Sequence, residues 1–318
     1  MPVTAQLNPV PIGRATFLDV PRCTDLDHLD AHIAVIGVPF GVPYDIRRLS
    51  VSVTAPQAIR EASLRFSPRY LSHYDFEFRC ELLAGRAVKI VDCGDVAMLP
   101  GRLEENSRAT TEAIRAILGR GAMPIVIGGE HSIPIPVMRA YEGRQPMCVV
   151  QIDAHPDWRD EVDGIQEGRS SPMRRASEMP WVKGMAQIGL RGWGSARRME
   201  VEAARAYGSV LVTAEELHRV GVDEVLRRVP AAERYYFTLD ADGLDPSIAP
   251  GVAGPWPGGV TYFEASNLIR GVAARGKLVG FDLVEVVPEA DVANMTCWLA
   301  ARLIINVIGA LAHTGQLG

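Results

Sequence analysis

Cysteine is scarce in this chain: five residues in 318, standing singly at positions 23, 80, 93, 148 and 297. An odd number with no Cys-x-x-Cys excludes a disulfide framework and a zinc knuckle. Cys93 and Cys148 sit in turn or apolar contexts and read as packing residues rather than nucleophiles. Positive charge is also short, 33 Lys and Arg against 38 Asp and Glu for a net charge of −5. That balance leaves no electrostatic footprint for nucleic acid or an anionic membrane surface. No apolar run reads as a bilayer span. The opening MPVTAQLNPVPIGRATF lacks the charged, then apolar, then small order of a secretory signal. A soluble cytoplasmic protein is the expectation. What is present is apolar mass, 47% hydrophobic residues, enough for a large core.

Residues 1–30 are rich in Pro, Asp and Thr and read as an N-terminal arm; residues 31–318 read as a single domain, with no fixed-period repeat and no long linker. Within that domain short apolar runs alternate with helical patterns. The strand candidates are 33–38, 88–91, 124–127, 148–152, 185–189, 210–212, 235–239 and 278–281. They are mostly continuous and β-branched, as strands are when both faces of a parallel sheet are covered. Helical patterns cover 102–120, 195–207, 223–229, 261–275 and 291–313, the last long and apolar enough to pack across the sheet. This alternation predicts an open α/β domain.

Ligands of such sheets bind at the carboxyl ends of the strands, and that is where the acidic and histidine residues gather. His131 follows the run ending at Ile127; Asp153, His155 and Asp157 follow the run ending at Ile152. Asp240 and Asp242 follow 235–239, and Glu285 follows 278–281. Alternate residues of an extended strand end face one way, which predicts that Asp153, His155 and Asp157 converge, as do Asp240 and Asp242. Four carboxylates brought together repel unless cations neutralise them. Six donors exceed one tetrahedral zinc. They suit two divalent ions sharing carboxylates, and the mix of oxygen and imidazole favours manganese, nickel or iron over calcium. Such a pair acidifies a shared water and polarises a substrate. Taken singly, each motif has a plainer reading: a solvated loop for Asp-x-His-x-Asp, an Asx turn for Asp-x-Asp, a core histidine for His131.

In these residues the chain resembles the ureohydrolase family of arginases and agmatinases, and the agmatinase-like branch more than arginase proper. The resemblance rests on Gly128-Gly-Glu-His-Ser132, Asp153-Ala-His-Pro-Asp157, Thr238-Leu-Asp-Ala-Asp-Gly-Leu-Asp-Pro246 and Gly280-Phe-Asp-Leu-Val-Glu-Val-Val-Pro288. Supporting pieces include Pro56-Gln-Ala-Ile-Arg60 and Val91-Asp-Cys-Gly-Asp95. It implies a three-layer α/β/α fold with an eight-stranded parallel sheet, and a metal-dependent amidinohydrolase acting on linear amidines. It implies two divalent ions, commonly Mn2+, with Ni2+ the alternative. Carried over, His131, Asp153, Asp157 and Asp240 hold one ion. Asp153, His155, Asp240 and Asp242 hold the other. Glu285 receives the substrate guanidinium, and Asp157 shuttles a proton to the leaving amine. Urea and an amine are the products. The partner is a small guanidino compound, agmatine-like or a guanidino acid. The resemblance also implies a homo-trimer or homo-hexamer, with a hetero-oligomer as the alternative.

The chain departs from the family in one loop. Agmatinase-type members read roughly His-Gly-Thr-x-Phe-Arg-Arg-Ala; this chain reads Glu167-Gly-Arg-Ser-Ser-Pro-Met-Arg-Arg-Ala176, which puts Arg169 where the family has its histidine. An arginine stays protonated and cannot act as a general acid or base. Either Arg169 binds a substrate carboxylate, or it is solvated and the substrate is unusual, such as guanidine or a biguanide hydrolysed with nickel. Val252-Ala-Gly254 also lacks the hydroxyls of the usual Thr-Gly-Thr. Trp158 is a candidate wall of the substrate pocket or a packing residue. Two readings stand beside the active ureohydrolase: a catalytically weakened subunit of a mixed oligomer, and an amide or formimino hydrolase.

Overall fold

The computed structural model describes residues 7–8 (backbone only), 15–42, 44, 50–66 and 68–317. The strands, in chain order, are β1 (Leu7–Asn8), β2 (Ile33–Val38), β3 (Tyr74–Asp75), β4 (Cys80–Glu81), β5 (Ile90–Val96), β6 (Met123–Gly128), β7 (Met147–Ile152), β8 (Val182–Leu190), β9 (Val210–Thr213), β10 (Arg234–Asp240) and β11 (Lys277–Val284). Eight of them form one parallel sheet in the order β5-β2-β6-β11-β10-β7-β8-β9. The two-residue β1 adds an antiparallel edge beside β5, and β3 with β4 makes a separate small hairpin.

Both faces of the sheet are buried, which is why its strands read as continuous apolar runs. One face carries Ile33, Val35, Ile125, Ile127, Val150 and Ile152, covered by α1 (Ala55–Ser63), α6 (Ala214–Val220), α7 (Val222–Arg228), α8 (Tyr262–Arg275) and α9 (Met295–His313). The other carries Ala34, Ile36, Val38, Val126 and Val149, covered by α2 (Leu103–Gly119), α3 (Pro134–Arg139), α4 (Pro172–Ser177) and α5 (Arg198–Tyr207). The result is the three-layer α/β/α arrangement.

The 88–91 strand begins at Ile90 and continues through Asp92 and Asp95 to Val96. Its polar half is tolerated because Arg60 of α1 pairs with both carboxylates. The 291–313 helix begins at Met295; Asp291 accepts from the Thr296 and Cys297 N–H groups and ties the first turn to the chain before it. This α9 is long and apolar enough on composition to cross a bilayer, but 78% of its apolar window is buried between sheet and helices. It is a core helix here. The described part of the 1–30 lead-in is attached to the body: Phe17 and Leu18 are fully buried, and Cys23 N–H donates to the Asp92 carbonyl at 2.9 Å.

Candidate metal centre and active site

The sheet order makes the site. β6 and β7 are consecutive in sequence, but β11 and β10 lie between them in space. Four adjacent strand ends therefore carry His131, Glu285, Asp240 and Asp153, in that order. Close backbone approach holds them. A Cβ on Gly129 would lie 2.1 Å from the Phe40 carbonyl oxygen, and one on Gly243 would lie 2.7 Å from Asp153 N. Glycine is the residue that allows both loops to pass so near.

His131 Nδ1 stands 2.9 Å from Asp153 Oδ2, 2.8 Å from Asp157 Oδ2 and 3.1 Å from Asp240 Oδ2. His155 Nδ1 stands 3.3 Å from Asp153 Oδ1 and 3.2 Å from Asp242 Oδ2. Asp153 thus turns one oxygen to each histidine. All six predicted donors come together: five form two overlapping groups, His131–Asp153–Asp240 and Asp153–His155–Asp242, and Asp157 joins the first through its contact with His131.

The convergence has a different cause from strand alternation. β7 ends at Ile152, before any of its three donors. Asp153 Oδ1 accepts from His155 N–H at 2.6 Å, and Asp240 Oδ1 accepts from Asp242 N–H at 2.8 Å. These are Asx turns, which curl the chain so that alternate side chains meet. Asp157 (φ 51°) and Glu285 (φ 62°) are both in the left-handed region. Non-glycine residues occupy it at some cost, and such strain concentrates at functional sites.

The donors fit divalent metal. His131 Nδ1 and Asp157 Oδ2 are buried and close, yet neither makes a hydrogen bond of acceptable geometry. They face a common centre rather than each other. The other ring nitrogen of His131, Nε2, lies 3.1 Å from Thr238 Oγ1, and the Thr238 hydroxyl donates to Asp282 Oδ1 at 2.6 Å. That chain puts the ring proton on Nε2 and leaves Nδ1 free to ligate. Burial opposes charge on His155, but Asp153 and Asp242 outweigh it and push its pKa up to about 12. Positive charge is what this cluster of carboxylates demands, and divalent cations would supply it.

Sequence reasoning missed the layer beneath. Asp282, Thr238, Gln151 and Gln187 occupy one register row across β11, β10, β7 and β8. All four are fully buried. Gln151 Nε2 donates to Asp153 Oδ2 at 2.6 Å, and Gln187 Nε2 donates to Gln151 Oε1 at 2.5 Å. Asp282 also accepts from the Tyr236 hydroxyl, and its pKa is raised to about 6, chiefly by burial. The signal was a polar residue inside an apolar strand, two positions before a donor for Gln151 and Thr238 and three before Glu285 for Asp282; Gln187 precedes none. Arg191 ends a further piece of the family resemblance, Ile188-Gly-Leu-Arg191, whose role sequence reasoning left unassigned: its guanidinium donates to the carbonyls of Asp242, Gly243, Leu244 and Trp256, fixing the loop behind Asp242.

A cavity of about 300 Å³ opens above the donors. His131, His155, Asp157, Asp240, Asp242 and Glu285 line its floor; Trp158 and Arg169 line its wall. Asp153 lies below, fully buried. Glu285 Oε1 accepts from His131 N–H at 2.8 Å, and Glu285 N–H donates to the Gly129 carbonyl at 2.8 Å. Burial first, then neighbouring Glu130, pushes the Glu285 pKa up to about 8, against the pull of the His131 N–H. Trp158 is almost wholly buried, its indole N–H donating to Gln187 Oε1 at 2.6 Å. Its ring packs in the core against Tyr207, with ring centroids 5.8 Å apart. Arg169 is half-exposed, with Nη1 3.7 Å from Glu130 Oε1 and its guanidinium 5.8 Å from the Tyr44 ring centre.

A sequence model described as "Arginase family" matches residues 31–309. The chain is 32% identical to a guanidinopropionase of Pseudomonas aeruginosa over 95% of this chain and 93% of that one. It is 31% identical to a guanidinobutyrase of the same organism, over 94% and 92%. Among solved structures, proclavaminate amidino hydrolase from Streptomyces clavuligerus superposes with a TM-score of 0.79 at 28% identity, covering 99% of this chain and 100% of that one.

Proposed function

The chain belongs to the arginase family of metal-dependent hydrolases acting on carbon–nitrogen bonds of amidines, and from that premise we propose that it hydrolyses a small guanidino compound to urea and an amine at a two-metal centre. His131, Asp153, Asp157 and Asp240 would hold one ion; Asp153, His155, Asp240 and Asp242 would hold the other. When bound, two such ions polarise the substrate and supply a nucleophile from water at neutral pH.

The observation that carries the reading is Glu285, an acid facing the same cavity floor as the six donors. Burial and Glu130 disfavour its charged form while it stands alone, and a cation bound beside it would restore that charge. A guanidinium meets that need with paired charge-assisted hydrogen bonds, which fix its carbon over the floor. Asp157, on the same floor, would take the proton that the attacking water gives up and pass it to the leaving amine nitrogen. Thr238 and Gln151 orient His131 and Asp153 without touching substrate. Relatives named for guanidinobutyrate and guanidinopropionate support a guanidino substrate.

The test is a panel of guanidino compounds on the chain loaded with manganese or with nickel, reading urea, ammonia and metal content. The expected outcome is two ions per chain and urea release. Asp153→Ala should lose both ions and all turnover, because Asp153 serves both groups. Full activity in that variant would refute the shared-ligand arrangement. Ammonia without urea would favour the formimino or amide reading. A fully loaded chain inert on every compound would favour the weakened subunit.

A further inference from the structure

We propose that Arg159 and Arg169 form a receptor for a carboxylate at the far end of the substrate, so that the substrate is a short guanidino acid rather than a diamine-like cation such as agmatine; this rests on the ureohydrolase reading of the same cavity. The cavity has two electrostatic ends. Its floor is acidic and takes the guanidinium. Its outer wall carries two arginines, Arg159 beside Glu200 and Arg169 loosely beside the buried Glu130.

The two arginines are held differently. Arg159 directly follows the donor run and its loop. Its main-chain N–H donates to the Ser170 carbonyl at 2.9 Å, which ties it to the segment carrying Arg169. Its Nε lies 3.1 Å from Glu200 Oε1, and its side chain is only 22% exposed. Glu200 is itself buried and accepts from Arg197 N–H at 2.7 Å at the start of α5. The inner nitrogen of Arg159 is thus anchored to a fixed carboxylate, while its terminal amino groups have no hydrogen bond among the described residues. Arg169 is the adjustable half. At 3.7 Å its contact with Glu130 is beyond hydrogen-bond reach, and it lies over the Tyr44 ring. Tyr44 packs so closely on the loop that a Cβ on Gly168 would fall 2.4 Å from the ring.

A planar guanidinium presents paired donors that match a carboxylate. An ammonium at the same wall meets like charge in a partly desolvated cavity, which disfavours binding.

The experiment compares kcat/KM for a series of short guanidino acids and for agmatine on the metal-loaded enzyme. It then repeats the comparison with Arg159→Gln, Arg159→Lys and Arg169→Gln. The wild type should prefer the acids. Arg159→Gln should lower kcat/KM for the acids by about tenfold to a hundredfold, the loss of a charge-assisted hydrogen bond, mainly through KM. Agmatine turnover should rise. Arg159→Lys should recover part of the preference. Should Arg159→Gln fail to fold, Arg169→Gln carries the test, since Arg169 is half-exposed. Urea from agmatine in preference to every acid, or an equal fall for both classes, overturns the inference and leaves the ureohydrolase reading intact. Urea from no compound sinks that reading instead. Calorimetric binding of the same compounds then decides the wall separately: a tenfold preference for acid, lost in the variant, sustains it, and equal affinities end it.

Discussion

Thr238 contributes a single hydroxyl, and that hydroxyl decides which nitrogen of His131 is free. It accepts from Nε2 and donates to Asp282. Thr238→Val keeps the shape and removes both bonds, leaving a buried N–H without a partner. Metal affinity should drop by about 10–100-fold, the usual cost of losing an outer-shell partner. Competition titration against a chromophoric chelator measures it, with the melting temperature of the metal-free chain as a control for folding. Unchanged affinity would mean that packing alone orients the ring. The donors themselves were legible in the sequence, since carboxylates and imidazoles at successive strand ends have a recognisable purpose. Thr238, Gln151, Gln187 and Asp282 were not. A lone polar residue in an apolar strand carries no message until register sets four of them side by side.

At the scale of elements, Gly129 is where β6 and the loop after β2 meet. A Cβ there would fall 2.1 Å from a backbone oxygen, which cannot swing aside as a side chain can. Gly129→Ala should displace the Glu130–His131 segment, with loss of metal binding as well as stability. Gly119→Ala, at the end of α2 with nothing within 4 Å, should be neutral or stabilising by about 0.4–1 kcal/mol. Metal content and urea denaturation of both variants separate a local clash from a general intolerance of alanine. The eight main strands were readable because burial on both faces leaves an unbroken apolar run. Four helices were not. α3 and α4 are six residues each, with Pro134, Pro136 and Pro172 in them, too short for a helical period to emerge. α1 was seen only as the motif Pro56-Gln-Ala-Ile-Arg60, α4 only as part of the 167–176 loop, and α6 not at all. The order β6-β11-β10-β7 was also illegible: sequence gives the succession of strands, and long crossovers decide which ends become neighbours.

Across the whole molecule, two of the places where charge is buried are handled by different means. The candidate metal centre gathers acids that call for cations from solution. The second place supplies its own cation. Arg60 of α1 is fully buried; Nε and Nη2 grip both oxygens of Asp92 at 2.8 and 3.0 Å, and Nη1 reaches Asp95 at 2.5 Å. Asp92 also accepts from the Phe17 N–H at 2.7 Å, so the same carboxylate fastens the N-terminal lead-in to β5. Helix, strand and lead-in are joined through one guanidinium. Arg60→Met would fill most of the volume but leave Asp92 charged in a site with no solvent. Breaking one side of a buried pair costs about 3–5 kcal/mol, and that is the expected loss in urea denaturation of the metal-free chain. The double replacement Arg60→Met with Asp92→Leu should recover part of it, because no lone charge remains. If the single variant lost less than about 1 kcal/mol, the scale of an exposed pair, the cluster would be decorative, and attachment of the lead-in would rest on the burial of Phe17 and Leu18 alone.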